Sequence, residues 1–179
     1  VPSSPCKREP SPMPDEQTDD MPPMRIYVDA DAVPRDIKDL LFRAATRTKV
    51  PVTFIANQYM QLPESELFDM IQVAAGPDVA DEKIVDLVNA GDLVITADIP
   101  LAAAVVDKGA QGLSPRGDLF TDRNIGQRLA MRDLMTDLRN NDGIETGGPA
   151  PLNQKDCHAF ANELDRFLAR RLKQKRTTP

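Results

Sequence analysis

Aspartates at a few tight spacings are the residues of this chain best suited to chemistry. Asp29 and Asp31 stand two apart in Val28-Asp29-Ala30-Asp31-Ala32, Asp78 and Asp81 stand three apart, and Asp98 closes Thr96-Ala97-Asp98. Carboxylates brought together repel one another and raise each other's pKa, an arrangement that normally persists only when a cation neutralises it. Oxygen ligands of this kind select Mg²⁺ or Mn²⁺ over softer metals. An ion held this way can activate water for attack on phosphorus and steady the leaving oxygen. Asp is also a favoured helix N-cap, so Asp31 and Asp81 are equally readable as caps of the helices that follow them, and Asp98 can be added to that reading. Asp29 is less open to that reading, because it ends a strand before any helix can begin.

Other chemistries are poorly supplied. The cysteines are Cys6 and Cys157 and the sole histidine is His158, which excludes a thiolate zinc site, a disulfide framework and any site of several imidazoles. Cys157 and His158 are neighbours on an expected helix, where adjacent side chains diverge, so they make a poor nucleophile and base and are read as ordinary, partly buried residues. No Gly-x-Gly-x-x-Gly or Walker-type loop is present. Arg116, Arg123, Arg128 and Arg132 are interleaved with Asp118, Asp122 and Asn124. They either pair with those acids or, in the case of Arg116 and Arg123, hold substrate phosphates, for which a guanidinium is well shaped. Asn57, Thr96 and Asn124 complete the polar set expected to meet substrate.

The elements that must position these residues follow from periodicity. Short β-branched runs predict strands over 25–29, 51–56, 71–75, 92–97 and 110–113, and helical spacing of apolar residues predicts helices over 34–48, 81–90, 100–108 and 126–139. A last helix carries Phe160, Ala161, Leu164, Phe167, Leu168 and Leu172. Met131 and Met135 read as core filling. The Gly147-Gly148-Pro149-Ala150-Pro151 stretch separates the last two helices. This rhythm is that of an α/β fold in three layers, a mainly parallel sheet of about five strands flanked by helices, with two C-terminal helices. Ligands of such sheets bind at the carboxyl ends of the strands. If the sheet is parallel, Asp29, Asp31, Asp78, Asp81, Asp98 and Asn57 converge there.

The 179 residues, 41% hydrophobic and 28% charged, suit one globular domain. Residues 1–23 hold seven of the sixteen prolines and almost nothing apolar, so a disordered tail is expected there, with the domain over 24–172 and a basic flexible tail over 173–179. The strand that begins directly at Met24 makes that residue a candidate start. A net charge of −6 argues against an unspecific nucleic-acid coat but not against local basic contacts. No apolar run approaches the roughly 18 residues of a membrane span, and the start lacks a signal-peptide stretch, so no membrane partner and a cytoplasmic location are expected.

Val28-Asp29-Ala30-Asp31-Ala32, Ala56-Asn57-Gln58, Gly76-Pro77-Asp78-Val79-Ala80-Asp81, Thr96-Ala97-Asp98-Ile99-Pro100-Leu101-Ala102, Ser114-Pro115-Arg116-Gly117 and Arg128-Leu129-Ala130-Met131-Arg132-Asp133-Leu134 occur in this order. In these motifs, from Met24 to about Leu172, the chain resembles the YaiI/YqxD family of bacterial proteins. That family resembles PIN and NYN nucleases in fold, which implies a small Rossmann-like α/β domain whose acids bind a divalent metal for RNA cleavage. The matching acids here are Asp29 and Asp98, with Asp31, Asp78 and Asp81 beside them. The family usually carries a cysteine where this chain has Val33, so a thiol mechanism is not implied for this member. The leading expectation is a metal-dependent phosphodiesterase acting on single-stranded RNA or another phosphodiester. The segment from Asp29 to Val33 also resembles the nucleophile loop of haloacid-dehalogenase-type phosphatases, in which Asp29 would attack phosphorus and Asp31 serve as acid and base. A third reading is a non-catalytic protein that binds metal and RNA.

Overall fold

Ile26, Tyr27, Val28 and Asp29 form the first strand, β1 (Ile26–Asp29), and all four are buried. Continuous burial of this kind marks a strand covered on both faces, as in parallel sheets. The computed structural model describes residues 24–76, 78–142 and 152–177. After β1 come α1 (Arg35–Thr48), β2 (Val52–Ala56), β3 (Phe68–Gln72), α2 (Val79–Leu87), β4 (Leu93–Ile95), α3 (Ile99–Asp107), β5 (Gln111–Leu113), β6 (Leu119–Phe120), α4 (Ile125–Asp142) and α5 (Gln154–Thr177). The strand order is β3-β2-β1-β4-β5-β6. Strands β1 to β5 pair in parallel, and only β6 returns antiparallel to β5.

Alternation along the strands sorts the core into two faces. Ile26 and Val28 of β1, Val52, Phe54 and Ala56 of β2, and Leu93 and Ile95 of β4 point to one side. There they meet Ile37, Leu41, Ala44 and Ala45 of α1 and Phe160, Leu164, Phe167 and Leu168 of α5. Tyr27, Ile55 and Val94 point to the other side, against Ile84 and Val88 at α2 and Leu101 and Val105 of α3. Helix α1 follows from its apolar stripe, and it stops where Lys49 turns into the left-handed region at φ 60° and donates its N–H to the Ala45 carbonyl. The Tyr27 hydroxyl donates to the Leu87 carbonyl at 3.2 Å, fixing the end of α2 to the central strand.

The expected three-layer α/β architecture and the two C-terminal helices are present, with six strands in place of about five. The added strand, β6, pairs with β5 across a tight turn: the Ser114 N–H donates to the Asp118 carbonyl and the Gly117 N–H to the Ser114 carbonyl. Strand β3 lies three residues earlier than the 71–75 expected, because Phe68 is buried and Phe68 to Gln72 pair with Val52 to Ala56, leaving Val73 to Gly76 outside the strand. Met131 and Met135 do not fill the core. With Leu134 and Leu138 they line an exposed face of α4, Met131 being 54% exposed. Helical spacing reports a shared face and not what covers it. Helix α5 runs from Gln154 to Thr177. The expected tail over 1–23 and the Gly147 to Pro151 break lie outside the described residues.

Candidate functional site

The chain leaves β1 toward β2 and β3 on one side and later fills β4, β5 and β6 on the other, so strand order reverses between β1 and β4. The carboxyl ends of those two strands flank the crevice where ligands of such sheets bind. Alternation in β1 turns Asp29 to the same face as Tyr27, toward α2 and α3. These helices run back from the carboxyl end of the sheet, so Asp81 in the first turn of α2 and Asp98 at the N-cap of α3 lie at that place.

Asp29 is only 7% exposed. Burial, then the charges of Asp81, Asp31 and Asp98, push its carboxyl up from 3.8 to about 6. Asp81, in the first turn of α2, also rises to about 6, through burial, the Asp98 charge, a hydrogen bond with the Asp98 side chain and the charge of Asp78. Acids from three separate segments thus act on one another. Asp98 is the N-cap of α3, and its carboxylate accepts a long bond of 3.5 Å from the Leu101 N–H. The buried Thr96 hydroxyl accepts the Asp98 N–H at 3.0 Å and so fixes the backbone that carries the acid.

Capping explains less than its propensity promised. Asp31 does not cap α1, whose N-cap position is Pro34; its Oδ2 accepts the Asn57 N–H at 2.9 Å and ties the loop after β2 to the end of β1. Asp78 occupies the N-cap position of α2 in a left-handed conformation, φ 66°, and makes no side-chain cap bond. Asn57 lies beside Asp31, and its carbonyl accepts from Gln72 Nε2 at 3.4 Å. Among the described residues, no three His, Cys, Asp or Glu side chains stand as a ready-made metal cage.

The arginines divide. Arg116 pairs with Asp156 at 3.0 Å and Arg128 with Asp118 at 3.3 Å, while Arg132 approaches its neighbour Asp133 at 4.0 Å. Arg123 is exposed in the turn before α4. Asn124 has both amide atoms engaged, Oδ1 accepting the Thr121 N–H and Nδ2 donating to the Leu119 carbonyl, so it organises the start of α4. Cys157 is half-buried as expected, whereas His158 is exposed on the solvent side of α5. Ser114 did not stand out from its residue type, yet it is buried at the end of β5 and its Oγ accepts the Arg116 N–H at 2.9 Å. The tight Ser-Pro-Arg-Gly turn was its one signal.

No helix among the described residues is long and apolar enough to cross a membrane. Residues 27–170 match the family described as Uncharacterized BCR, YaiI/YqxD family. The chain is similar to the UPF0178 protein of Burkholderia lata, 59% identical over 147 residues that cover 82% of this chain and 97% of the relative. It is similar as well to the UPF0178 protein of Burkholderia ambifaria strain MC40-6, 58% identical over 147 residues with the same shares. The UPF0178 protein of Thioalkalivibrio sulfidiphilus is 60% identical over 148 residues, which cover 83% of this chain and all of that protein. Matched over most of its length by the family and by these relatives, the chain belongs to the YaiI/YqxD family.

Proposed function

We propose that this protein is a divalent-metal-dependent phosphodiesterase acting on single-stranded RNA, with Asp29 and Asp98 as principal holders of Mg²⁺ or Mn²⁺ and Asp31, Asp78 and Asp81 around them. The observation that carries this reading is Asp29, nearly buried at the reversal of strand order with Asp81, Asp31 and Asp98 all raising its pKa. Left to themselves, these charges oppose folding, and a bound cation turns the same crowding into attraction. The donor set is all oxygen, which suits Mg²⁺ and Mn²⁺. A closed cage of three acids is not required, because Mg²⁺ is commonly held through one or two carboxylates, with waters and substrate phosphates in the remaining positions.

When bound, such an ion polarises a phosphoryl oxygen and makes water a better nucleophile. The work of the chain is to hold the acids. Thr96 fixes the backbone at Asp98, Asp31 secures the loop that carries Asn57, and Asn124 with Ser114 shapes the Arg116 to Arg123 segment. The first turn of α3 adds the partial positive charge of a helix N-terminus beside Asp98. Arg123 remains a candidate for a substrate phosphate, whereas Arg116 would have to release Asp156 to take that part.

The test is cleavage of a single-stranded RNA and of a small phosphomonoester by wild-type, Asp29→Asn and Asp98→Asn proteins, with Mg²⁺, Mn²⁺ or chelator. RNA cleavage that requires metal and is lost in both variants is the expected result. Phosphomonoester turnover with an acyl-phosphate trapped on Asp29 would replace this reading with the phosphatase one. Metal and RNA binding without cleavage of either substrate would leave a non-catalytic binder.

A further inference from the structure

Tyr59 is 75% exposed, more than any other bulky apolar side chain among the described residues. Its loop is not loosely held. On one side the Asn57 N–H is bonded to Asp31, and on the other the Met60 N–H donates to Met70 Sδ at 3.3 Å, while Met60 and Leu62 pack against the main core. The aromatic ring therefore projects into water between two fixed points, and no packing among the described residues accounts for it. The two residues from Asn57 to Tyr59 span at most about 7 Å of chain, and Asn57 is in contact with Asp31 of the acidic group.

We infer that Tyr59 is a stacking platform for one unpaired nucleobase, a subsite next to the acidic end of the sheet. Its location gains meaning from the phosphodiesterase reading and rests on it. Every base offers a flat π-face, so an exposed tyrosine accepts any of them. Bases inside a duplex are already stacked on their neighbours, which restricts the subsite to single strands and explains how a protein with a net charge of −6 can hold an acidic polymer at one local contact.

The chain supplies its own reporter. It has two tyrosines and no tryptophan, and the other tyrosine, Tyr27, is buried with its hydroxyl on the Leu87 carbonyl. Intrinsic emission that changes on RNA addition thus reads Tyr59. A short mixed-sequence single-stranded RNA and the matching duplex are titrated into the full chain with Ca²⁺, which takes the same kind of oxygen ligands. The single strand is expected to quench the wild type, and Tyr59→Phe should abolish the quench while keeping affinity within about threefold. Tyr59→Ala should weaken binding roughly 5- to 150-fold. Equal affinity of Tyr59→Ala and wild type, absence of the quench, or an equal quench by the duplex overturns the subsite. Mn²⁺ uptake, followed by electron paramagnetic resonance, reports separately on the acids. Wild type that takes up Mn²⁺ but binds no RNA overturns the subsite and leaves the metal reading standing. Wild type that binds RNA through Tyr59 but takes up no Mn²⁺ supports the subsite and overturns the metal reading.

Discussion

Replacing Asp29 with Asn should make the metal-free protein more stable. The Asp29 carboxyl rises from 3.8 to about 6 on folding, about two units, and each unit corresponds to about 1.4 kcal/mol. That gives a ceiling of about 3 kcal/mol, which solvent at the open end of the sheet screens to roughly 1–2 kcal/mol. Because the folded pKa is raised, the folded state binds the proton more tightly than the unfolded chain between pH 3.8 and about 6. Stability therefore falls as pH rises through that window, and the full penalty is present above it. Asparagine keeps the shape and removes the charge. At pH 7.5 in chelator, Asp29→Asn should melt roughly 2–8 °C above wild type, given about 2–4 °C per kcal/mol for a domain of this size. At pH 4 the gain should nearly vanish. With Mn²⁺ the order should narrow or invert, since ligand at a hundred times its Kd stabilises the wild type by about 2.7 kcal/mol and the variant by less. Calorimetry at the two pH values with and without Mn²⁺ measures all of this. A variant less stable than wild type at pH 7.5, or an equal gain at pH 4, would refute the account of repelling, buried acids.

Gly117→Ala should cost about 1–3 kcal/mol, because Gly117 has φ +92° and an added Cβ would lie 2.7 Å from Ala159 of α5; urea unfolding measures the loss. Thr53→Val should stabilise by up to about 1 kcal/mol, because the buried Thr53 hydroxyl has no hydrogen-bond partner among the described residues and the near-isostere removes it. Phe160→Ala should cost about 3–5 kcal/mol by opening the main core under α5, where Phe160 is fully buried.

Much of the candidate site was legible because a parallel sheet converts strand order into position. Once β1 ends at Asp29 and β4 is followed by Asp98, both acids must emerge at the same end, whatever the loops do. The side chains' hydrogen-bond partners were not legible. Asp31 has the residue type and position of a cap, yet it holds Asn57, a contact 26 positions away that only the pairing of β1 with β2 creates. The Arg116 to Arg132 cluster left ion pairing and phosphate binding open, and Asp156, the actual partner of Arg116, lies 40 positions on. Strand β3 slipped because Val73 to Ala75 look as apolar as Phe68 to Ile71, so hydrophobicity could not choose the register that pairing with β2 decides. The exposed face of α4 fell to the same ambiguity, since periodicity names a stripe without naming its neighbour.

Helix α5 bears on how the molecule comes into being. It supplies Phe160, Leu164, Phe167 and Leu168 to the same cluster as β1, β2 and α1, so the part of that face not covered by α1 waits for nearly the last segment. Domains emerge during synthesis at about 5–20 residues per second, and 75 residues separate Leu93, in the second of the two central strands, from Leu168. Each nascent chain therefore spends roughly 4–15 seconds with its central strands translated and the α5 side of that core face open to solvent. During that interval the part of this cluster that α5 later covers forms an apolar surface, and early release of an incomplete chain would turn it into a sticky one. Yield in the cell should consequently depend on translation speed and on chaperones that shield the growing chain, even where the finished protein is stable.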